Sequence, residues 1–155
     1  MTPILSFWPS VYDKILKQEK ILEYRRRFPK NCTYAYMYIT KPVKAIVAII
    51  YFKQMHSLMD WLNIYAEDHI TTTRIKKFLQ KYHYAMEIES IQKIQPITLD
   101  MLRKNIPNFT APQSYILLEN NISLKYYIEK NTILIGNRIY NKYYNIYPNH
   151  ICKEY

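Results

Sequence analysis

The hydrophobic positions change period several times along this chain, and each change marks an element. "ILSFW" (4–8) is a short apolar run of strand length. Pro9 suits the first turn of a helix, where its missing N–H costs nothing. Val11, Ile15 and Leu16 then recur at helical spacing, with Asp13, Lys14 and Lys17 facing away, so a helix is predicted over 9–18. From Ile21 the period becomes two. Leu22 and Tyr24 point to one side, and Glu23, Arg25 and Arg27 to the other, which sets a carboxylate between cations on one exposed strand face. Arg26 is expected to face the opposite way, in a solvated or structural role.

"TYAYMYI" (33–39) and "VKAIVAIIYF" (43–52) read as strands joined by a turn at "TKP", the second apolar enough to be buried on both faces. Ser57 with Asp60 resembles a capping box that opens a helix over 57–66 through Leu58, Trp61, Leu62 and Tyr65. Thr71–Thr73 are expected to cap a second helix, 72–82, whose Ile75, Phe78, Leu79 and Tyr82 share a face. "YAMEIESI" (84–91) alternates as a strand, "PITLDMLRKN" (96–105) has a threonine cap and a short helix, and "SYILL" (114–118) closes the series. Residues 119–155 hold seven of the seventeen tyrosines. There "LKYYIEKNTILIG" reads as a hairpin with its turn near Lys130-Asn131. Strands and short helices without regular βαβ alternation indicate the α+β class. The expected division is a domain over 1–118 and a Tyr-rich, basic, β-rich extension over 119–155 packed on the same domain.

Composition adds one strong feature. The net charge is +10 and the pI is near 9.5, which points to nucleic acid or another polyanion as partner. Residues 14–44 carry nine Lys or Arg, with Asp13, Glu19 and Glu23 the acidic residues in or beside them. The same Lys-, Asn-, Ile- and Tyr-rich usage also fits the coding bias of an A/T-rich genome. Cys32 and Cys152 lack metal-ligand spacing and are expected to be free thiols in a reducing compartment. No signal-peptide pattern is visible, and "AIVAIIYF" is far too short to span a bilayer, so a cytoplasmic protein without a membrane partner is expected. With Gly136 as its single glycine the chain has no phosphate loop, and its four histidines show no metal spacing. No cofactor and no metal are expected.

The candidate chemistry gathers in "KQEKILEYRRRFP" (17–29). Arginine offers a planar fork that grips phosphate through two bonds. Arg25 and Arg27 are therefore the expected cleft cations. Glu23 either orients Arg25 or accepts a hydrogen bond from a base amine. Lys20 stands where a helix ends and a strand begins. Crowding by Arg25 would lower its pKa and Glu23 would raise it. Trp8, Tyr36 and Tyr38 are candidates for stacking on bases, Trp8 foremost. Lys41 joins the nucleic-acid-binding set.

At this point the residues carry a resemblance. "ILSFWPSVYDKILKQEKILEYRRRFP", "PVKAIVAI" (42–49), and "PITLDMLRKN" with "APQSYILL" are similar, in that order, to the segments of ASCH domains, members of the PUA-like superfamily. The likeness covers about residues 4–118, and Pro9, Lys20, Glu23 and Arg25 to Arg27 stand at its motif positions. Gln18 stands where the family has glycine in a left-handed turn, at a cost near ~1 kcal/mol. The resemblance implies a small PUA-like β-barrel with helices packed around it and a basic cleft that accepts RNA or a modified nucleoside. Some members are predicted RNA-binding regulators of transcription or translation. Others hydrolyse N4-acetylcytidine with a lysine, a threonine and a carboxylate. The lysine would be Lys20 and the carboxylate Asp68, but Glu23 stands in the threonine's place. The expected function is thus RNA or modified-nucleoside binding through Lys20, Glu23, Arg25 and Arg27. The alternative is an amidohydrolase or ribonuclease using Lys20, Glu23 and Asp68. Oligomeric state is left open.

Overall fold

The computed structural model describes residues 1–143 and 145–155. The elements run β1 (Pro3–Phe7), α1 (Pro9–Leu16), β2 (Leu22–Arg25), β3 (Tyr34–Ile39), β4 (Ala45–Ser57), α2 (Leu58–Ile64), α3 (His69–Leu79), β5 (Tyr84–Thr98), α4 (Leu99–Asn105), β6 (Tyr115–Leu117), α5 (Ile122–Asn131) and β7 (Ile139–Tyr140). The class is α+β. Among the described residues the strands form one sheet in the order β2-β5-β4-β3-β1-β6, with β7 added on β5. Only the β1–β3 pair is parallel; the other strand pairs are antiparallel.

The sheet is curled, and three apolar clusters follow from the alternation of its strands. Ile4, Tyr36, Ile46, Ile49 and Ile97 pack one face against Leu102 of α4 and Leu124 and Ile128 of α5. The other face carries Leu5, Met37, Ile39, Ile50 and Met86, with Phe7 and Ile15. Leu22 and Tyr24 turn outward from β2 and pack with Leu58, Trp61 and Ile75 of α2 and α3 and with Ile151 and Cys152. β4 is buried on both faces from Ala45 to Phe52, as its unbroken apolar run predicts. Residues beyond 118 thus contribute to all three clusters, the second through Ile139.

Two expected caps and one expected hairpin are corrected. Ser57 makes no side-chain cap; it is the last residue of β4, and the Leu58 N–H that follows it donates to the His83 carbonyl at 2.9 Å. Helix α3 begins at His69, ahead of Thr71–Thr73, because Asp68 is a stronger cap: Thr71 N–H donates to its Oδ1 at 3.0 Å. The segment read as a hairpin is α5. Leu124, Tyr127 and Ile128 form a helical face, Asn121 caps its start through Leu124 N–H, and Asn131 and Thr132 bond back to Tyr127 O and Ile128 O. Among the described residues of the 119–155 region, the β content reduces to the two residues of β7 and an isolated bridge at Leu134. The Thr98 cap of α4 forms as expected, accepting from Met101 N–H at 3.1 Å. No described helix is long and apolar enough to cross a membrane. Cys32 and Cys152 are unpaired, and burial pushes their thiols up to about 11 and about 12.

Candidate nucleic-acid interface

Helix α1 ends in a left-handed turn at Gln18 (φ 60°), the conformation expected of the position. The Glu19 and Lys20 N–H groups both return to the Lys14 carbonyl, at 2.9 and 3.2 Å. That turn delivers Lys20 to the start of β2, where residues alternate between the α2–α3 layer and the concave side of the sheet. Glu23 and Arg25 take the concave side. The exposed polar strand face expected from the alternation is therefore an interior one: Glu23 is 6 % exposed. The reason is curvature. β2 and β6 are the two ends of the strand order, and Arg25 bridges them by donating from Nη2 to Ser6 O at 2.7 Å and from Nη1 to Ser114 O at 3.3 Å. Its guanidinium also covers the Phe7 ring at 4.9 Å.

Around this seam lies a cavity of about 870 Å³, lined by the ends of β1, α1, β2 and α3, by Gln113-Ser114, and by residues 153–155. Its wall holds seven cations (Lys14, Lys20, Arg25, Arg26, Lys77, Lys81, Lys153) against two carboxylates, Glu23 and Glu154. Glu23 Oε1 accepts the Tyr24 N–H at 3.1 Å and lies 3.7 Å from Arg25 Nε. Its Oε2 is buried with no partner among the described residues, and a buried acceptor left unbonded costs about 1–3 kcal/mol. The Lys20 ammonium sits over the Tyr24 ring at 5.2 Å and the Tyr155 ring at 5.6 Å. Burial holds its pKa below the ordinary lysine range; Glu23 opposes that shift, and Arg25 and Lys14 add to it.

The other expected site residues divide. Trp8, 71 % exposed at the N-cap of α1, stands on the cavity rim with its ring free. Tyr36 and Tyr38 are 5 % and 3 % exposed and belong to the core, which removes them as stacking platforms. Arg26 lines the cavity, whereas Arg27 does not, because β2 stops at Arg25 and the alternation stops with it. Lys41 also lies outside the lining. Asp68 is outside it too, and both its oxygens are engaged by Thr71, through the backbone N–H and through Oγ1 at 2.8 Å. Asp68→Ala is therefore expected to lower the melting temperature while leaving every property of the cavity unchanged. Its carboxyl is held below the usual carboxylate range by the Thr71 bonds. Its support is accordingly present above that ordinary range and is lost as the pH falls through the lowered value. Thermal melts from pH 7 downward check this: the wild-type advantage over the variant should vanish in acid.

Sequence reading missed Lys77, Lys81, Gln113, Ser114 and residues 153–155 as cavity walls. Lys77 and Lys81 were visible as polar positions on an amphipathic helix, and Gln113-Ser114 as part of "APQS". Nothing in the local pattern of 153–155 signals where it folds. Among the described residues, no three His, Cys, Asp or Glu side chains cluster as metal ligands would.

No family model matches the chain. A protein of Zymomonas mobilis named an ASCH domain-containing ribonuclease is 27 % identical over 131 residues, which cover 79 % of this chain and 87 % of that one. The crystal structure of ASCH from the same organism superposes with a TM-score of 0.62 at 24 % identity, covering 84 % of this chain and 95 % of that one. The chain is thus similar over most of its length to a protein with an ASCH domain. Serine-to-alanine and tyrosine-to-phenylalanine variants of the Zymomonas ASCH protein share the fold at the same TM-score, each 22 % identical over 84 % of this chain. The curled sheet, with α1 and the Gln18 turn leading into β2, is what brings Lys20, Glu23 and Arg25 to one cavity.

Proposed function

We propose that this chain is an ASCH domain that binds single-stranded RNA in the cavity around Lys20 and cleaves its backbone there. The observation that carries the reading is the excess of seven cations over two carboxylates in one cavity that Lys20 and the buried Glu23 both line. The name of the Zymomonas relative, a ribonuclease, supports it. A cationic cleft of this kind draws in the phosphate backbone, and the exposed Trp8 offers a face for one base, worth about 1–3 kcal/mol.

The chemistry that fits is internal transesterification. The 2′-hydroxyl donates its proton to Glu23 Oε2, its oxygen attacks the adjacent phosphorus, and the P–O5′ bond breaks. The Lys20 ammonium gives its proton to the departing O5′. The products are a 2′,3′-cyclic phosphate and a 5′-hydroxyl end. An ammonium with a lowered pKa is a better acid than an ordinary lysine, and general acid–base catalysis contributes about 10²–10⁴-fold. Arg26, Lys81 and Lys153 hold phosphate charge, while the Arg25 fork is engaged in closing the sheet. Hydrolysis of N4-acetylcytidine has no support at this site, because Glu23 cannot supply the threonine hydroxyl.

Binding is tested by titrating a fluorescent single-stranded RNA across a salt series. Affinity should fall steeply as salt rises, and Arg26→Ala should flatten the log–log slope by about 0.7 per lost phosphate contact. An affinity independent of salt, or a slope untouched by Arg26→Ala and Lys81→Ala together, would contradict an RNA backbone site here. Chromatography of the products should give cyclic-phosphate ends, and intact RNA after prolonged incubation would restrict the function to binding.

A further inference from the structure

Residues 145–155 are anchored far from their place in sequence. Arg74 donates to Ile151 O at 3.0 Å and to Pro148 O at 2.7 Å, and the Cys152 N–H donates to the Tyr24 hydroxyl at 2.8 Å. Ile151 and Cys152 are fully buried beside β2. Cys152 then takes a left-handed conformation, φ 52°, which turns the following three residues onto the cavity. Glu154 pairs with Lys77 at 2.9 Å. The Tyr155 ring meets Lys14 and Lys153 at 5.9 Å and Lys20 at 5.6 Å.

We infer that residues 153–155 complete the site, with Tyr155 a positioning residue: its ring and that of Tyr24 hold the Lys20 ammonium between them and shut water away from it. The activity arm of this inference rests on the RNA reading above; the contact itself does not. The groups facing Lys20 are Lys14 from α1, Glu23, Tyr24 and Arg25 from β2, and Tyr155 from the C-terminal segment. Burial is the largest influence and disfavours the charged amine, Glu23 favours it, and Arg25 and Lys14 add to the effect of burial. Tyr155 is the member of this set that reaches Lys20 from outside α1 and β2, so its removal readmits solvent while every side chain of those two elements stays in place; its phenol also has a hydrogen bond with the Ile21 backbone, which Tyr155→Phe removes while keeping the ring. Burial of the ring also pushes the Tyr155 phenol up. An aromatic face attracts a cation and so favours the charged amine, whereas shutting water away from it disfavours that form; in this inference the second effect of the Tyr155 ring is the larger.

The test follows Lys20 directly, by NMR titration of the lysine Nζ and Cε signals in the labelled full chain, with Lys20→Met to assign the resonance. Lys20 should titrate below the other lysines in the wild type and in Tyr155→Phe, which keeps the ring. In Tyr155→Ala it should move up towards them. The alkaline limb of the RNA-cleavage profile should move up with it, because the rate requires the protonated amine. Lys20 titrating alike in the wild type and Tyr155→Ala would overturn the inference. So would faster cleavage in Tyr155→Ala with Lys20 unmoved, which would make residues 153–155 an occluding strap. If Lys20 moves and the cleavage profile does not, Tyr155 keeps its role and the RNA reading of the cavity is what fails.

Discussion

Arg25→Ala is expected to destabilise the fold by about 3–5 kcal/mol, the cost of leaving a buried charge without its partner. The side chains of Arg25 and Glu23 are 13 % and 8 % exposed. The guanidinium carries the two bonds that tie β2 to Ser6 O and Ser114 O across the mouth of the sheet. Alanine removes both bonds, uncovers the Phe7 ring, and leaves the Glu23 carboxylate buried with a single backbone donor. Urea denaturation measures the loss. The double variant Glu23→Gln with Arg25→Ala should recover part of it, since the residual penalty belongs to the unpaired carboxylate and the two changes are coupled. A single-variant effect within about 0.5 kcal/mol would mean that the seam is an ordinary surface contact.

This seam explains why the site was only partly legible in the sequence. The alternation of Leu22, Glu23, Tyr24 and Arg25 predicts correctly that two residues go to each side. It cannot say which side is solvent, and an edge strand rich in charge reads as exposed unless the far end of the sheet is known to curl back to it. Arg27 fails as a cleft residue for a related reason: a period of two holds only while the strand lasts, and β2 ends at Arg25. The Gln18 turn, the buried β4 and the Thr98 cap were readable because they depend on neighbours in sequence. Helix α5 reads as a strand because Leu124, Tyr126 and Ile128 stand at every second position over five residues, whereas over ten residues Leu124, Tyr127 and Ile128 share a helical face. The Asn121 cap was the signal that would have decided it. Lys77, Ser114 and Tyr155 reach the cavity through tertiary packing alone, and no window of sequence contains their relation to Lys20.

Lys20→Met should have the largest effect on function and an opposite effect on stability. A lysine whose folded-state pKa lies below its ordinary value binds its proton more weakly in the folded chain than in the unfolded one. Its charge therefore opposes folding at neutral pH, and the penalty disappears only as the pH rises from the lowered value to the ordinary lysine range. Methionine keeps most of the stem and removes the buried charge, so the variant should melt at the wild-type temperature or above it. Retained folding separates loss of chemistry from loss of structure.

The decisive measurement is cleavage of a single-stranded RNA by wild type and Lys20→Met at neutral pH, beside their thermal melts. The account predicts cyclic-phosphate products from the wild type and a loss of about 10²–10⁴-fold in Lys20→Met, the range of a general acid, without loss of stability. Equal cleavage by the two proteins, or a Lys20→Met variant that loses activity only because it unfolds, would contradict it.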